Sequence, residues 1–268
     1  MPQIKQCEAH GYFRGDRCPI CGSEGKFLLN DWELEALSRM LSGILRHFPY
    51  KFRVNIDPMG WADIYDIVNG IKRRHRRFWW LRRHHIEAIA LTDPKGRFQV
   101  DLEKKKIRAT YGHTIPVDLS DLPTDDIPEI LYYPVSKEEA DILLESGLKP
   151  TDRRWVHLSF SYEDAYIAGR HRMDDVVVLA VKTKCCEDKG IKIHRAAKTI
   201  FITTEVPPEC LEMPEQREVE LSEEELKAIE MEKKRKEKKM RKKMRRKKKN
   251  ENIDMERGGS VQSEVQGM

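Results

Sequence analysis

Four side chains in the first 21 residues are spaced to hold one metal ion. Cys7 and His10 are two residues apart, Cys18 and Cys21 are two residues apart, and seven residues separate the pairs. A two-residue gap lets each pair bite a single ion, and thiolate with imidazole is the donor set of closed, tetrahedral zinc sites. Gly11 and Gly22 each follow the second member of a pair, where the backbone turns tightly. A segment of about 28 residues buries too little surface to fold alone, so bound zinc would supply its folding energy. The spacing predicts a structural zinc segment over residues 1–28, with Cys7, His10, Cys18 and Cys21 as ligands. The plain alternative is two unrelated pairs in a flexible tail.

The other cysteines, Cys185, Cys186 and Cys210, are scattered, and the first residues carry no apolar export signal. A disulfide framework is therefore not expected, and a cytoplasmic setting is. No apolar run reaches the roughly 18 residues of a spanning helix. Charge is the more informative quantity. The chain has 50 Lys and Arg against 45 Asp and Glu, yet residues 233–249 alone hold fourteen bases and one acid. Residues 72–85 add seven Lys or Arg and no acid, so everything outside these two runs sums to −15. Positive charge gathered in two places points to a polyanionic partner.

Hydrophobic periodicity divides the middle of the chain. Asn30 and Glu33 form a capping box before Leu34, Leu37, Leu41, Ile44, Leu45 and Phe48, a helical stripe that Pro49 ends. Arg46 and His47 fall in its last turn, where cations suit the helix dipole. Residues 57–60 read as a turn, 61–68 as the start of a second helix and 86–91 as a third apolar run. Residues 97–102 and 107–111 alternate around a Glu-Lys-Lys-Lys turn, a hairpin. Three short helices and a hairpin predict a winged-helix lobe over 29–120. Within 72–85, Phe78, Trp79 and Trp80 interrupt the arginines. Such mixing suits RNA, with bases stacked on aromatics and phosphates neutralised; the alternative is a helix with aromatics inward and arginines solvated.

After a polar linker at 121–128, strands are expected at 129–135, 155–160, 176–182, 191–194 and 199–203, with helices at 137–146 and 162–168. No Gly-rich phosphate loop is present. The expected class is α+β, with a compact β-rich lobe over 127–213 and a charged tail from 214 to 268. Ser222 and Glu225 form a second capping box, so 222–249 reads as a solvated helix and 250–268 as disordered. The basic run serves as an RNA-binding arm or is simply solvated.

Leu45-Arg46-His47 stands before Pro49, Ile107-Arg108-Ala109 leads to Gly112-His113-Thr114, and Val156-His157-Leu158-Ser159 follows. The order of these short motifs over about residues 34–212 resembles the tRNA 2′-phosphotransferase family. The zinc segment is similar to an N-terminal extension of some archaeal members. The resemblance implies a winged-helix lobe joined to an ADP-ribosyltransferase-like lobe, with NAD as co-substrate and RNA bearing an internal 2′-phosphate as partner. It implies an Arg-His-Arg-Arg group, which Arg46, His47 and Arg108 match in its first three places. For the fourth, a one-residue insertion before Val176 aligns Arg170, with Arg172 in reserve. His113, Thr114, Tyr133, His157 and Ser159 are the positions implied for NAD. Tyr132 is followed by Tyr133-Pro134-Val135 where many members carry His-Gly-Thr. His113 and His157 read equally as core histidines without the resemblance. Two other functions stand beside the leading one: an RNA-binding module whose NAD lobe has decayed, and ADP-ribosylation of phosphorylated nucleic-acid ends.

Overall fold

The computed structural model describes residues 3–151 and 153–234, with Glu237, Met240, Arg241 and Met244 beyond them. Most of the basic run and the stretch expected to be disordered lie outside the described residues. The chain begins with β1 (Ile4–Cys7), β2 (Gly11–Arg14) and β3 (Lys26–Leu29), an antiparallel sheet of order β2-β1-β3. Asn30 alone joins β3 to α1 (Asp31–Arg46). The capping box forms as the sequence requires: Asn30 Oδ1 accepts the Glu33 amide at 2.9 Å, and the Asn30 amide donates to Glu33 at 3.0 Å. Leu34, Leu37, Leu41, Ile44 and Leu45 line the buried face of α1, and Ile4, Leu28 and Leu29 enter the same core. The N-terminal sheet is thus packed onto the first lobe and shares its apolar centre.

Asp57 makes the turn before the second helix, its Oδ1 accepting the Met59 and Trp61 amides at 3.1 and 2.9 Å. Gly60, at φ +85°, closes it in the left-handed region that favours glycine. The second helix begins later than its apolar periodicity suggests. Residues Ala62–Asp63 form the short strand β4, and Asp63 then caps α2 (Ile64–Arg74) through the Tyr65 amide at 2.7 Å. α3 (Arg83–Leu91) follows, then the expected hairpin of β5 (Phe98–Asp101) and β6 (Lys106–Ala109). β4 pairs on the other side of β6, a partner only the folded chain supplies.

Residues 72–85 combine both readings of the sequence. Phe78 and Leu81 are fully buried, and Phe78 stacks on Trp32 with ring centroids 6.0 Å apart. Trp79 points outward at 71% exposure. Several arginines are engaged with the backbone: Arg73 donates to the Phe52 carbonyl at 3.0 Å and Arg82 to the carbonyls of Trp80 and Leu81 at 3.1 Å.

The second lobe is a six-stranded antiparallel sheet, comprising β7 (Ile130–Ser136), β8 (Val156–Ser159), β9 (Val176–Lys182), β10 (Ile193–Arg195), β11 (Ile200–Thr203) and β12 (Leu211–Glu212). Their order is β10-β11-β8-β7-β9-β12. α4 (Lys137–Ser146) ends at Gly147 as expected, and α5 (Tyr162–Arg170) connects β8 to β9. At Gly169 an added Cβ would stand 2.7 Å from Val176 and 3.0 Å from Pro134. Only a hydrogen there lets α5 lie this close to β7 and β9. The linker is not a free tether: Leu119 and Leu122 are buried with Ala196 and Ile202.

One expectation is corrected. α6 (Thr183–Asp188) packs against the short turn Pro208–Cys210, and Cys185 and Cys210 are joined as a disulfide with Cα atoms 5.4 Å apart. The two residues are 25 positions apart in the chain, and their proximity is a product of tertiary packing. Among the described residues no helix is long and apolar enough to cross a membrane.

Candidate active site and metal centre

The metal centre follows from the first sheet. Cys7 ends β1 and Gly11 opens β2, so His10 sits in the intervening turn. The four ligand atoms of Cys7, His10, Cys18 and Cys21 lie within 4.8 Å of one another. Cys7 Sγ is 3.5 Å from His10 Nδ1 and 3.6 Å from Cys21 Sγ, and Cys18 Sγ is 3.7 Å from His10 Nδ1. A tetrahedron with bonds of about 2.3 Å has edges of about 3.8 Å, so the donor set and its spacing fit zinc. The Ser23 hydroxyl, 3.5 Å from Cys7 Sγ, is the main cause that lowers the Cys7 thiol to about 6, favouring the thiolate that a metal requires.

The second site lies where α1 and the segment after β6 meet the large sheet. The motif at 107–114 explains the contact. The hairpin strand β6 ends at Ala109, and the chain then passes through Gly112 and back to α1, where the Thr114 amide donates to the Arg46 carbonyl at 3.0 Å. On the other side, the Gly112 amide donates to Nε2 of His157 on β8 at 3.0 Å, and Arg153 donates to the Gly112 carbonyl at 2.9 Å. Gly112 has φ +81°, and an added Cβ would stand 2.8 Å from the Arg153 guanidinium. The backbone angle favours glycine, while the Arg153 guanidinium is the end of a flexible side chain that could shift.

These contacts frame a cleft of about 290 Å³. Arg46, Lys149, Arg153 and Arg172 are the cations among its described lining residues, and Tyr111, Tyr133 and Trp155 are its aromatics. The Arg46 guanidinium lies 4.5 Å over the Tyr111 ring, while its Nε and one Nη are buried with no hydrogen-bond partner among the described residues. Burial lowers the Arg46 pKa, but a guanidinium holds its proton throughout the ordinary range. A buried cation with unused donors is built for an anion that arrives from outside. His47 caps α1, with Nδ1 3.1 Å from the Thr114 hydroxyl.

Burial favours the neutral form of two histidines, His157 in the cleft lining and His113 nearby. Burial, followed by the nearby Arg46, pushes His113 down to about 3, and both its ring nitrogens lack partners among the described residues. Burial together with Arg153, Arg172 and Arg46 pushes His157 down to about 4. Ser159 is buried two residues along β8 from His157, on the same side of the strand.

Of the residues singled out from sequence, Arg46, Tyr133 and His157 line the cleft together. His47 and Thr114 meet each other at its edge through α1. Arg108 is 3% exposed and engaged elsewhere: it donates to Gln99 at 2.8 Å, to the Met59 carbonyl at 3.1 Å and to Asp121 at 2.9 Å, and it lies 4.7 Å over Trp61. Arg170 ends α5 with its guanidinium turned onto the Asp174 carbonyl, whereas Arg172 lines the cleft. Sequence reasoning passed over Lys149, Arg153 and Trp155. The signal was present as basic and aromatic residues crowded just before Val156.

A family model described as RNA 2′-phosphotransferase, Tpt1 / KptA family, matches residues 33–205. The chain belongs to the RNA 2′-phosphotransferase family. Relatives named probable RNA 2′-phosphotransferase share this match over nearly their whole length. The one from Thermoplasma acidophilum is 44% identical over 225 residues, covering 84% of this chain and 94% of its own. One from Archaeoglobus fulgidus is 39% identical over 207 residues, covering 77% of this chain and 93% of its own. Membership makes the chain a transferase that acts on RNA, and every element framing the cleft falls inside the matched span.

Proposed function

We propose that the chain removes an internal 2′-phosphate from RNA, such as a tRNA splice junction, with NAD as co-substrate. In the first step a 2′-phosphate oxygen attacks the ribose carbon that bears nicotinamide, and nicotinamide leaves. In the second the 2″-hydroxyl of the attached ADP-ribose attacks the phosphorus. The RNA departs with a free 2′-hydroxyl, and ADP-ribose 1″,2″-cyclic phosphate is released. The observation that carries this reading is the convergence of Arg46, Lys149, Arg153 and Arg172 with three aromatic rings on one cleft. Phosphoryl transfer asks mainly for positioning and charge neutralisation, which guanidinium forks provide.

In this reading Arg46 and Arg172 neutralise the phosphate, and His47 orients the ADP-ribose hydroxyl or moves its proton. Its place in the cleft lining supports Arg172, ahead of Arg170, as the fourth member of the group. Arg108 acts by holding the Gly60 turn and the β5–β6 hairpin behind Arg46. His113, Thr114, Tyr133, His157 and Ser159 form the NAD side. Residues 29–120 serve as a winged-helix RNA-binding lobe, 127–213 as an ADP-ribosyltransferase-like lobe, and the basic tail as an RNA arm. Cys7, His10, Cys18 and Cys21 hold a structural zinc. The setting is cytoplasmic.

The test is incubation with NAD and an RNA carrying one internal 2′-phosphate. Nicotinamide, free 2′-hydroxyl RNA and the cyclic phosphate product are expected together. RNA binding without nicotinamide release would overturn the proposal, and stable ADP-ribosylated ends would replace it with end modification.

A further inference from the structure

The segment after β12 straps across α5. Gln216 continues the edge of β9: its Oε1 accepts the Val178 amide and its Nε2 donates to the Val178 carbonyl, both at 3.0 Å. Arg217 lies 4.7 Å over Tyr162 and pairs with Glu163 at 2.7 Å, gripping the first turn of α5. Val219 packs with Tyr162 and Ala165. The chain then enters helical residues 223–234, capped where the Ser222 amide donates to Glu225 at 2.8 Å. Glu225, Ile229 and Lys233, four apart, form the inward face of this helix, and Ile229 is only 5% exposed.

That face meets the loop after α5. A Glu232 carboxylate oxygen lies 3.0 Å from His171 Nδ1, and Lys233 donates to the Asp174 carboxylate. His171 and Asp174 bracket Arg172, the cation this loop brings to the cleft. Residues 171–175 include no buried side chain, so core packing does not fix the loop. We propose that the strap is a positioning device for the reaction: Glu232 and Lys233, by holding His171 and Asp174 on either side of Arg172, set where its guanidinium stands in the cleft. The proposal rests on the phosphotransferase reading of that cleft. Lys233 is also the first of the fourteen bases of residues 233–249.

Two physical scales make the role testable. Exposed ion pairs contribute little to stability and are screened by salt. A reacting group misplaced by about 1 Å costs on the order of 100-fold in rate. In the full chain, Lys233→Glu sets two acids against each other at Asp174. It is expected to lower kcat about tenfold while leaving the thermal midpoint essentially unchanged. The double variant Lys233→Glu with Asp174→Lys restores the pair and should recover most of that loss. Lys234→Glu makes the same charge change on a residue that, among the described residues, pairs within the helix with Glu230, and should cost much less. Equal losses in the two single variants, or no recovery in the swap, would overturn the proposal. Wild-type protein assayed in parallel separates the readings: an inactive wild type removes the phosphotransferase reading, while an active one with an equally active Lys233→Glu removes only the strap.

Discussion

The Gly112 amide donates to Nε2 of His157 at 3.0 Å, so that nitrogen carries no proton and the imidazole is neutral. The bond ties the segment leaving the first lobe to a strand of the second. It also predicts acid sensitivity. His157 is held at about 4 and His113 at about 3, against an ordinary value of 6.5. In the unfolded chain both accept a proton near pH 6.5; in the folded chain neither does until the pH is much lower. Their stabilising contribution is whole above pH 6.5 and is lost as pH falls towards 4, by about 1.4 kcal/mol per pH unit for each group. Thermal melts between pH 7.5 and 4 should show this decline, and His113→Asn should flatten it. An unchanged slope in that variant would falsify the assignment of His113.

Arg46 is expected to trade stability for activity. Its guanidinium is buried, with two nitrogens that have no hydrogen-bond partner among the described residues. Arg46→Met keeps much of the side-chain volume and removes the unpaired charge, so stability should rise by about 1 kcal/mol. Turnover should fall by roughly 10²–10³-fold, the usual cost of losing one donor to a transition-state charge. Calorimetry and a nicotinamide-release assay on the same preparation check both halves.

Arg108 should behave as a structural cation first. It joins Gln99, the Met59 carbonyl and Asp121. Arg108→Lys keeps the charge but lacks the planar fork needed to hold all three partners. Urea unfolding is expected to show a loss of about 1–3 kcal/mol. Wild-type stability combined with lost turnover would instead put Arg108 in direct contact with substrate.

Zinc removal should destabilise more than the N-terminal segment, because Ile4 and Leu29 belong to the core of α1. Purified protein should contain one zinc per chain by elemental analysis. Cys18→Ser should lose it and lower the thermal midpoint of the whole first lobe. His10→Cys should keep it, since a four-thiolate site is equally suited to zinc.

How much was legible follows from how local each feature is. The Asn30 cap, the stop at Gly147 and the hairpin of β5 and β6 are written in a few adjacent residues, and they form where expected. Asp63 was hidden because its strand pairing to β6 depends on a residue more than 40 positions away. Phe78 and Trp79 are neighbours with opposite fates, Phe78 entering the core around α1 while Trp79 faces outward. Arg170 and Arg172 differ by two positions, and only the turn after α5 determines which reaches the cleft. The bond between Cys185 and Cys210 depends likewise on α6 meeting a distant turn. The Arg46-His47 pair was readable because a local signal, the capped apolar stripe that Pro49 ends, puts it in the last turn of α1, although its partners Tyr111 and Thr114 lie far along the chain.

The single residue between β3 and α1 acts as a gear setting. α1 is 16 residues long, about 24 Å, with the N-terminal sheet at one end and Arg46 at the other. Each residue added at Asn30 must either bulge out and break the cap or turn the helix by about 100°. The second outcome would swing Arg46 off the Tyr111 ring and out of the cleft. Phasing at the joint therefore decides whether the far end of the helix faces the cleft, although no atom of the joint comes near it.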